Sequence, residues 1–200
     1  MYVAIEGLDG SGGTTQLTRL AEACAVRAPG REVLRTREPT DGPVGRLIRQ
    51  QLAGGELGDA VLPYLFAADR RDHLDRVVLP ALARGAIVLS DRCVLSSLAY
   101  QAPAVGLARV LALNEGLRWP DLVVMLDLAP AVSLARVEAR GGVRDRFETI
   151  ARLEEVRAAY EVAIAAVERS GRARVVRVDA APHPDVVAAA VARAVWGEGA

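Results

Sequence analysis

The sequence predicts an α/β fold, a parallel five-stranded sheet flanked by helices. Three observations carry that prediction. Short apolar runs alternate with helix-period stretches along the chain, the signature of βα units. Gly and Pro punctuate the joins between them. The first apolar run enters a glycine-rich turn that opens a helix, a junction suited to holding phosphate.

The elements follow in order. Residues 2–6 read as the first strand. Residues 14–27 are helical, with Leu17, Leu20, Ala21 and Cys24 on one face and Pro29-Gly30 as the stop. Residues 32–36 form a second strand, and 43–52 a helix closed by Gly54-Gly55. One long helix is expected over 59–84, bent at Pro63 and Pro80 and ended by Gly85. Residues 86–90 form a buried strand, apolar until Asp91. Helices at 94–101 and 104–117 flank Pro103. The most hydrophobic run, 122–128, should be a central strand. A helix from Pro130 to Arg140 leads into a glycine- and arginine-rich break at 141–146, the candidate flap. A long amphipathic helix (148–170), a last strand (174–178) and a last helix (184–196) complete the series. No linker is long enough to divide the 200 residues, so a single domain over 1–200 is expected.

Composition narrows the function. Basic and acidic residues balance at 25 each, which argues against a sequence-independent nucleic-acid binder but not against a local anion site. No signal-peptide pattern and no run of 18 apolar residues occurs, so a cytoplasmic protein with no membrane partner is expected. Cys24 and Cys93 read as free thiols of a reducing compartment. All 25 basic residues are Arg, and there is no Lys. GC-rich codon usage explains that blandly. The chemical consequence stands regardless: work that needs an ammonium group must be done by Arg or go without.

The turn after the first strand reads Gly7-Leu8-Asp9-Gly10-Ser11-Gly12-Gly13-Thr14-Thr15. This is the spacing of a phosphate-binding loop, in which glycines let successive N–H groups point at a polyphosphate. Gly7, Gly10, Ser11, Gly12, Gly13, Thr14 and Thr15 are the candidate nucleotide-binding residues. Thr14 supplies a hydroxyl for Mg²⁺. The alternative is a strand-to-helix turn that binds nothing. The motif expects Lys where this chain has Gly13, and that Lys would follow charge as it moves to the leaving oxygen. Losing one such donor costs roughly 10²–10³ in rate in other enzymes. The backbone cradle does not depend on it.

Six further segments, in order, make the chain resemble the bacterial thymidylate kinases. They are E-G-L-D-G-S-G at 6–12, T-R-E-P at 36–39, L-F-A-A-D-R at 65–70, D-R at 91–92 with S-S-L-A-Y-Q at 96–101, R-W-P-D at 118–121, and D-R-F-E at 145–148. The resemblance spans nearly the whole chain. It implies a P-loop kinase fold with a lid at about 137–149, and ATP- and Mg²⁺-dependent phosphorylation of dTMP to dTDP in dTTP synthesis. It also implies a homodimer formed by packing of the long 59–84 helix.

The resemblance assigns roles as well. Arg37 and Arg92 clamp the acceptor phosphate, against an alternative of ion pairing with Glu38 or Asp91. Asp91 holds Mg²⁺ with Thr14, although Asp127 ends a strand in the same pattern. Phe66 stacks on thymine, and Arg70, at i+4, donates to a base carbonyl. Ser97 and Gln101 meet the polar edge of the base, Tyr100 walls the sugar, and Asp9 takes the 3′-hydroxyl. Cys93 replaces an aromatic or His in the pocket wall. Arg136 stacks on adenine. Asp9, Arg92, Arg140, Arg144 and Arg146 are the expected catalytic groups, the last three as lid arginines replacing the missing ammonium. A solvated charged helix face is the bland reading of the lid. His73, beside Arg71, Asp72 and Asp75, reads as solvated, and neither it nor His183 is given a role. Two other functions remain open: a nucleotide-binding protein that has lost turnover, and a kinase of another pyrimidine monophosphate such as dUMP.

Overall fold

A computed structural model describes residues 1–140 and 149–197, with Arg140 described by its backbone alone. Five parallel strands form one sheet: β1 (Tyr2–Gly7), β2 (Val33–Arg37), β3 (Ile87–Asp91), β4 (Leu122–Asp127) and β5 (Arg174–Asp179). Their order is β2-β3-β1-β4-β5. All six residues of β1 are buried, as a strand covered on both faces requires. β2 and β5 are the edges, and each carries arginines that discourage further strand pairing.

Helices α1 (Gly13–Arg27) and α10 (Pro184–Trp196) cover one face. Leu17, Leu20 and Cys24 pack there against Val3, Ile5, Leu89 and Val124, with Val187 and Val191. Helices α5 (Val94–Tyr100) and α9 (Ile150–Ser170) cover the other. Leu95, Leu98, Tyr160 and Ile164 pack there with Ala4, Val123 and Met125. The Thr149 side chain caps α9 by accepting from the Arg152 N–H at 3.3 Å. Helix α2 (Pro43–Leu52) follows β2, and α8 (Pro130–Arg140) follows β4.

Two expected helices are divided. The 59–84 stretch becomes α3 (Leu62–His73), a π-helical turn (Leu74–Val78) and α4 (Leu79–Ala83). Pro63 does not bend it, because it sits in the first turn of α3, where no N–H is needed. Pro80 has no N–H to give the preceding turn, and the helix widens just upstream of it. That turn brings Leu74 and Val78 onto Tyr2 and Val88. The 104–117 stretch becomes α6 (Ala102–Val105) and α7 (Leu107–Leu113), broken at Gly106, whose φ of 87° no helix accepts. Among the described residues, no helix is long and apolar enough to cross a membrane.

Candidate active site

The site lies at the carboxyl edge of the sheet, where the chain leaves β1 toward β2 on one side and leaves β3 toward β4 on the other. The loop from Gly7 to Gly12 wraps the N-terminus of α1. At Gly10, φ is +85° and an added Cβ would lie 2.5 Å from the Ser133 carbonyl oxygen. The Ser133 hydroxyl in turn donates to the Asp9 carbonyl, so α8 grips the loop. Gly13 is different. Its φ is not left-handed, and a Cβ there would meet only the Asp91 carboxylate, at 3.2 Å, and Ile5 at 3.9 Å. The backbone does not require glycine at this position.

Thr14 Oγ1 donates to Asp91 Oδ2 at 2.7 Å. Both residues line the cavity of about 280 Å³ enclosed by the loop. Two hard oxygens side by side under a phosphate cradle fit a Mg²⁺ that keeps most of its waters. Asp127 is elsewhere, paired with Arg157 at 3.2 Å. Among the described residues, Arg92 and Arg136 bring guanidinium groups to the loop cavity. Arg136 donates to the carbonyls of Ala180 and Ala181. It also lines an adjoining cavity of about 350 Å³, walled by Ala180, Pro182, Pro184 and Val187.

A second crevice opens on the other side of Asp9. Asp9, Phe66, Arg92, Tyr100 and Gln101 all line it, with Leu52, Pro39 and Ser96. Arg92 Nη2 donates to Asp9 Oδ1 at 2.6 Å, and the Tyr100 hydroxyl donates to Asp9 Oδ2 at 3.1 Å. The Arg92 guanidinium lies 5.2 Å from the Tyr100 ring centroid. Burial pushes the Tyr100 phenol far up, and the Asp9 carboxylate adds to the shift, so it remains a donor. Gln101 Oε1 is buried and lacks a hydrogen-bond partner.

Other expected site residues stand differently. Arg70 lies behind the crevice rather than on its wall. It donates to Glu38 at 2.8 Å, Asn114 at 2.6 Å, Ser97 Oγ at 2.8 Å and the Cys93 carbonyl at 3.4 Å. Ser97 is therefore a partner of Arg70, buried with it. Arg37 faces a separate cavity of about 490 Å³, which reaches Thr14 and Asp91 from the β2 side. Its ion pair is with Asp41 at 2.5 Å, not with Glu38 or Asp91. Cys93 is not in the pocket wall: it is buried in the core beside Val94 and Leu95, where burial pushes its thiol well up. Arg144 and Arg146 lie outside the described residues, as do the side chain of Arg140 and most of the expected lid.

His73 is buried, not solvated. It contacts Glu38 Oε1 at 3.1 Å and Thr36 Oγ1 at 2.6 Å. Burial would push the Glu38 carboxyl up, but Arg70 and His73 outweigh it and hold the group below its usual range. The sequence motifs give Asn114 and Glu6 no role, and offer Glu38 only as an alternative ion-pair partner of Arg37. Glu6 had left a signal, a lone charge in an otherwise apolar strand.

The chain matches the family model for thymidylate kinase over residues 5–191. It is 38% identical over 209 residues to a thymidylate kinase of Xanthomonas oryzae pv. oryzae (strain PXO99A), covering 100% of this chain and 88% of that one. Against a thymidylate kinase of Solidesulfovibrio magneticus, identity is 41% over 216 residues, covering 98% and 97%. A loop with its Thr–Asp pair, a second crevice sharing Asp9 with it, and relatives matched over nearly their whole length give one answer: this chain belongs to the thymidylate kinase family.

Proposed function

We propose that the chain transfers the γ-phosphoryl group of ATP to dTMP, giving dTDP and ADP. The observation that carries this is the position of Asp9. It belongs to the phosphate loop and also walls the second crevice, so donor and acceptor sites meet at one side chain. The loop N–H groups and the α1 N-terminus receive the ATP phosphates. Arg136, held by two carbonyls, offers a flat cation to adenine. Thr14 and Asp91 hold Mg²⁺, which spreads the negative charge of the transferring group when bound.

On the acceptor side, Arg92 takes the phosphate of dTMP, Phe66 stacks on the base and Tyr100 lies along the sugar. Gln101 Oε1, an orphaned acceptor, suits the N3–H of thymine. Arg70 braces the acceptor side from behind, through Ser97 and Glu38. The crevice measures about 70 Å³ as it stands, so dTMP entry widens it. The acceptor phosphate is already ionised, so no general base is required. Positioning and charge neutralisation do the chemistry. Arg140, Arg144 and Arg146 supply cationic charge in place of the absent Lys.

A coupled assay for ADP release tests this. The expected result is ADP formation that requires both dTMP and Mg²⁺. Nucleotide binding with no dTMP-dependent ADP above a protein-free blank overturns it, and would assign the chain to nucleotide binding without turnover. Faster turnover with dUMP than with dTMP would assign another acceptor.

A further inference from the structure

Glu6 is 2% exposed and lies one residue before the phosphate loop. A buried carboxylate is costly unless its oxygens are satisfied. Here four donors converge on it. The N–H groups of Cys93 and Ser96 donate to Oε1 at 2.8 and 3.0 Å. The hydroxyls of Ser96 and Tyr160 donate to Oε2 at 2.7 and 2.8 Å. None of the four is cationic, so the carboxylate is held by the turn at 92–96 and by α9 rather than by an ion pair.

The same turn carries Arg92, the one non-glycine residue with positive φ (72°) among the described residues. Such a conformation persists only where its surroundings over-determine it. The Ser96 hydroxyl gives its hydrogen to Glu6, leaving its lone pairs to accept Arg92 Nη1 at 2.9 Å. Arg92 Nη2 reaches Asp9, Tyr100 donates to Asp9, and the Tyr100 ring meets the Tyr160 ring edge-on, 6.1 Å between centroids at 89°. Tyr160 returns to Glu6. The contacts close a ring, Glu6–Ser96–Arg92–Asp9–Tyr100–Tyr160.

We infer that Glu6 and Tyr160 are positioning residues: through Ser96 they hold the Arg92 guanidinium preorganised for the phosphate of the acceptor nucleotide. An arginine loses as much rotamer freedom on being fixed as any side chain. In this chain that loss is met in the fold, before the nucleotide arrives, which tightens phosphate binding without any contact from Glu6 or Tyr160 to the ligand. The inference rests on the proposed acceptor site, in which Arg92 meets the phosphate.

Calorimetric titration with dTMP and with thymidine, which lacks the phosphate, separates positioning from mere stability. In the parent protein dTMP should bind more tightly than thymidine; if it does not, the acceptor reading itself fails. Tyr160→Phe keeps the ring packing and removes one donor. Glu6→Gln removes the charge that orients the Ser96 hydroxyl. Each should weaken dTMP binding, by about threefold for Tyr160→Phe and about tenfold for Glu6→Gln, while thymidine binding stays within about twofold. If Glu6→Gln does not fold, Tyr160→Phe carries the test. A parent that prefers dTMP, with variants whose preference is unchanged or whose affinities fall equally for both ligands, overturns the inference.

Discussion

At residue 13 the chain has no side chain where its loop motif expects an ammonium. The local geometry shows that this is not a demand of the backbone, because Gly13 has ordinary helical dihedrals while Gly10 and Gly12 do not. A side chain there needs the Asp91 carboxylate to give by a few tenths of an ångström, which a terminal group at a strand end can do. Gly13→Lys should therefore fold, and it should gain up to about 1 kcal/mol from replacing glycine in a helix. Its kcat should rise by roughly tenfold or more, since one well-placed cationic donor is worth about 10²–10³ elsewhere. Steady-state kinetics with dTMP saturating checks this. An unchanged kcat would mean that other groups, with the lid arginines first in line, already provide the charge.

Elements, not single residues, decide where the buried charges go. The end of β2 delivers Glu38 between Arg70 and His73, both on α3, and Arg70 continues to Asn114 and to Ser97 of α5. Three elements are thereby tied through one carboxylate. Removing one partner of a buried ion pair typically costs about 3–5 kcal/mol, because the other charge stays buried. Glu38→Gln should lose stability of that order at pH 7, measured by urea denaturation. The Glu38 carboxyl is held below its usual range in the fold. Its contribution is therefore full above the unfolded glutamate range and lost as pH falls through the folded value. The gap between parent and variant should narrow with acidification below about pH 4. The T-R-E-P and L-F-A-A-D-R motifs each showed in the sequence. That they meet, and that His73 turns inward, did not, because a helical period places His73 on a face without saying what covers that face.

Over the whole molecule, the α3–α4 stretch presents Val61, Tyr64, Val77 and Leu79 to solvent. Val61 and Tyr64, three residues apart at the start of α3, are exposed apolar side chains on neighbouring positions and suit the homodimer that the family resemblance implies. Sedimentation should give twice the chain mass, and Tyr64→Glu with Val61→Asp should return it to one. A parent that sediments as one chain removes the dimer from the proposal. The strand alternation, the phosphate loop and the acceptor-site motifs were legible along the chain, because periodicity, glycine spacing and short motifs are properties of neighbouring residues. So was the absence of Lys, which made Gly13 the question to ask. The choice of Asp91 over Asp127, the retreat of Arg70 behind the crevice and the closed ring through Glu6 were decided only when the sheet was ordered. Each depends on residues between 32 and 154 positions apart, whose meeting is set by packing on two faces of one sheet rather than by any local pattern.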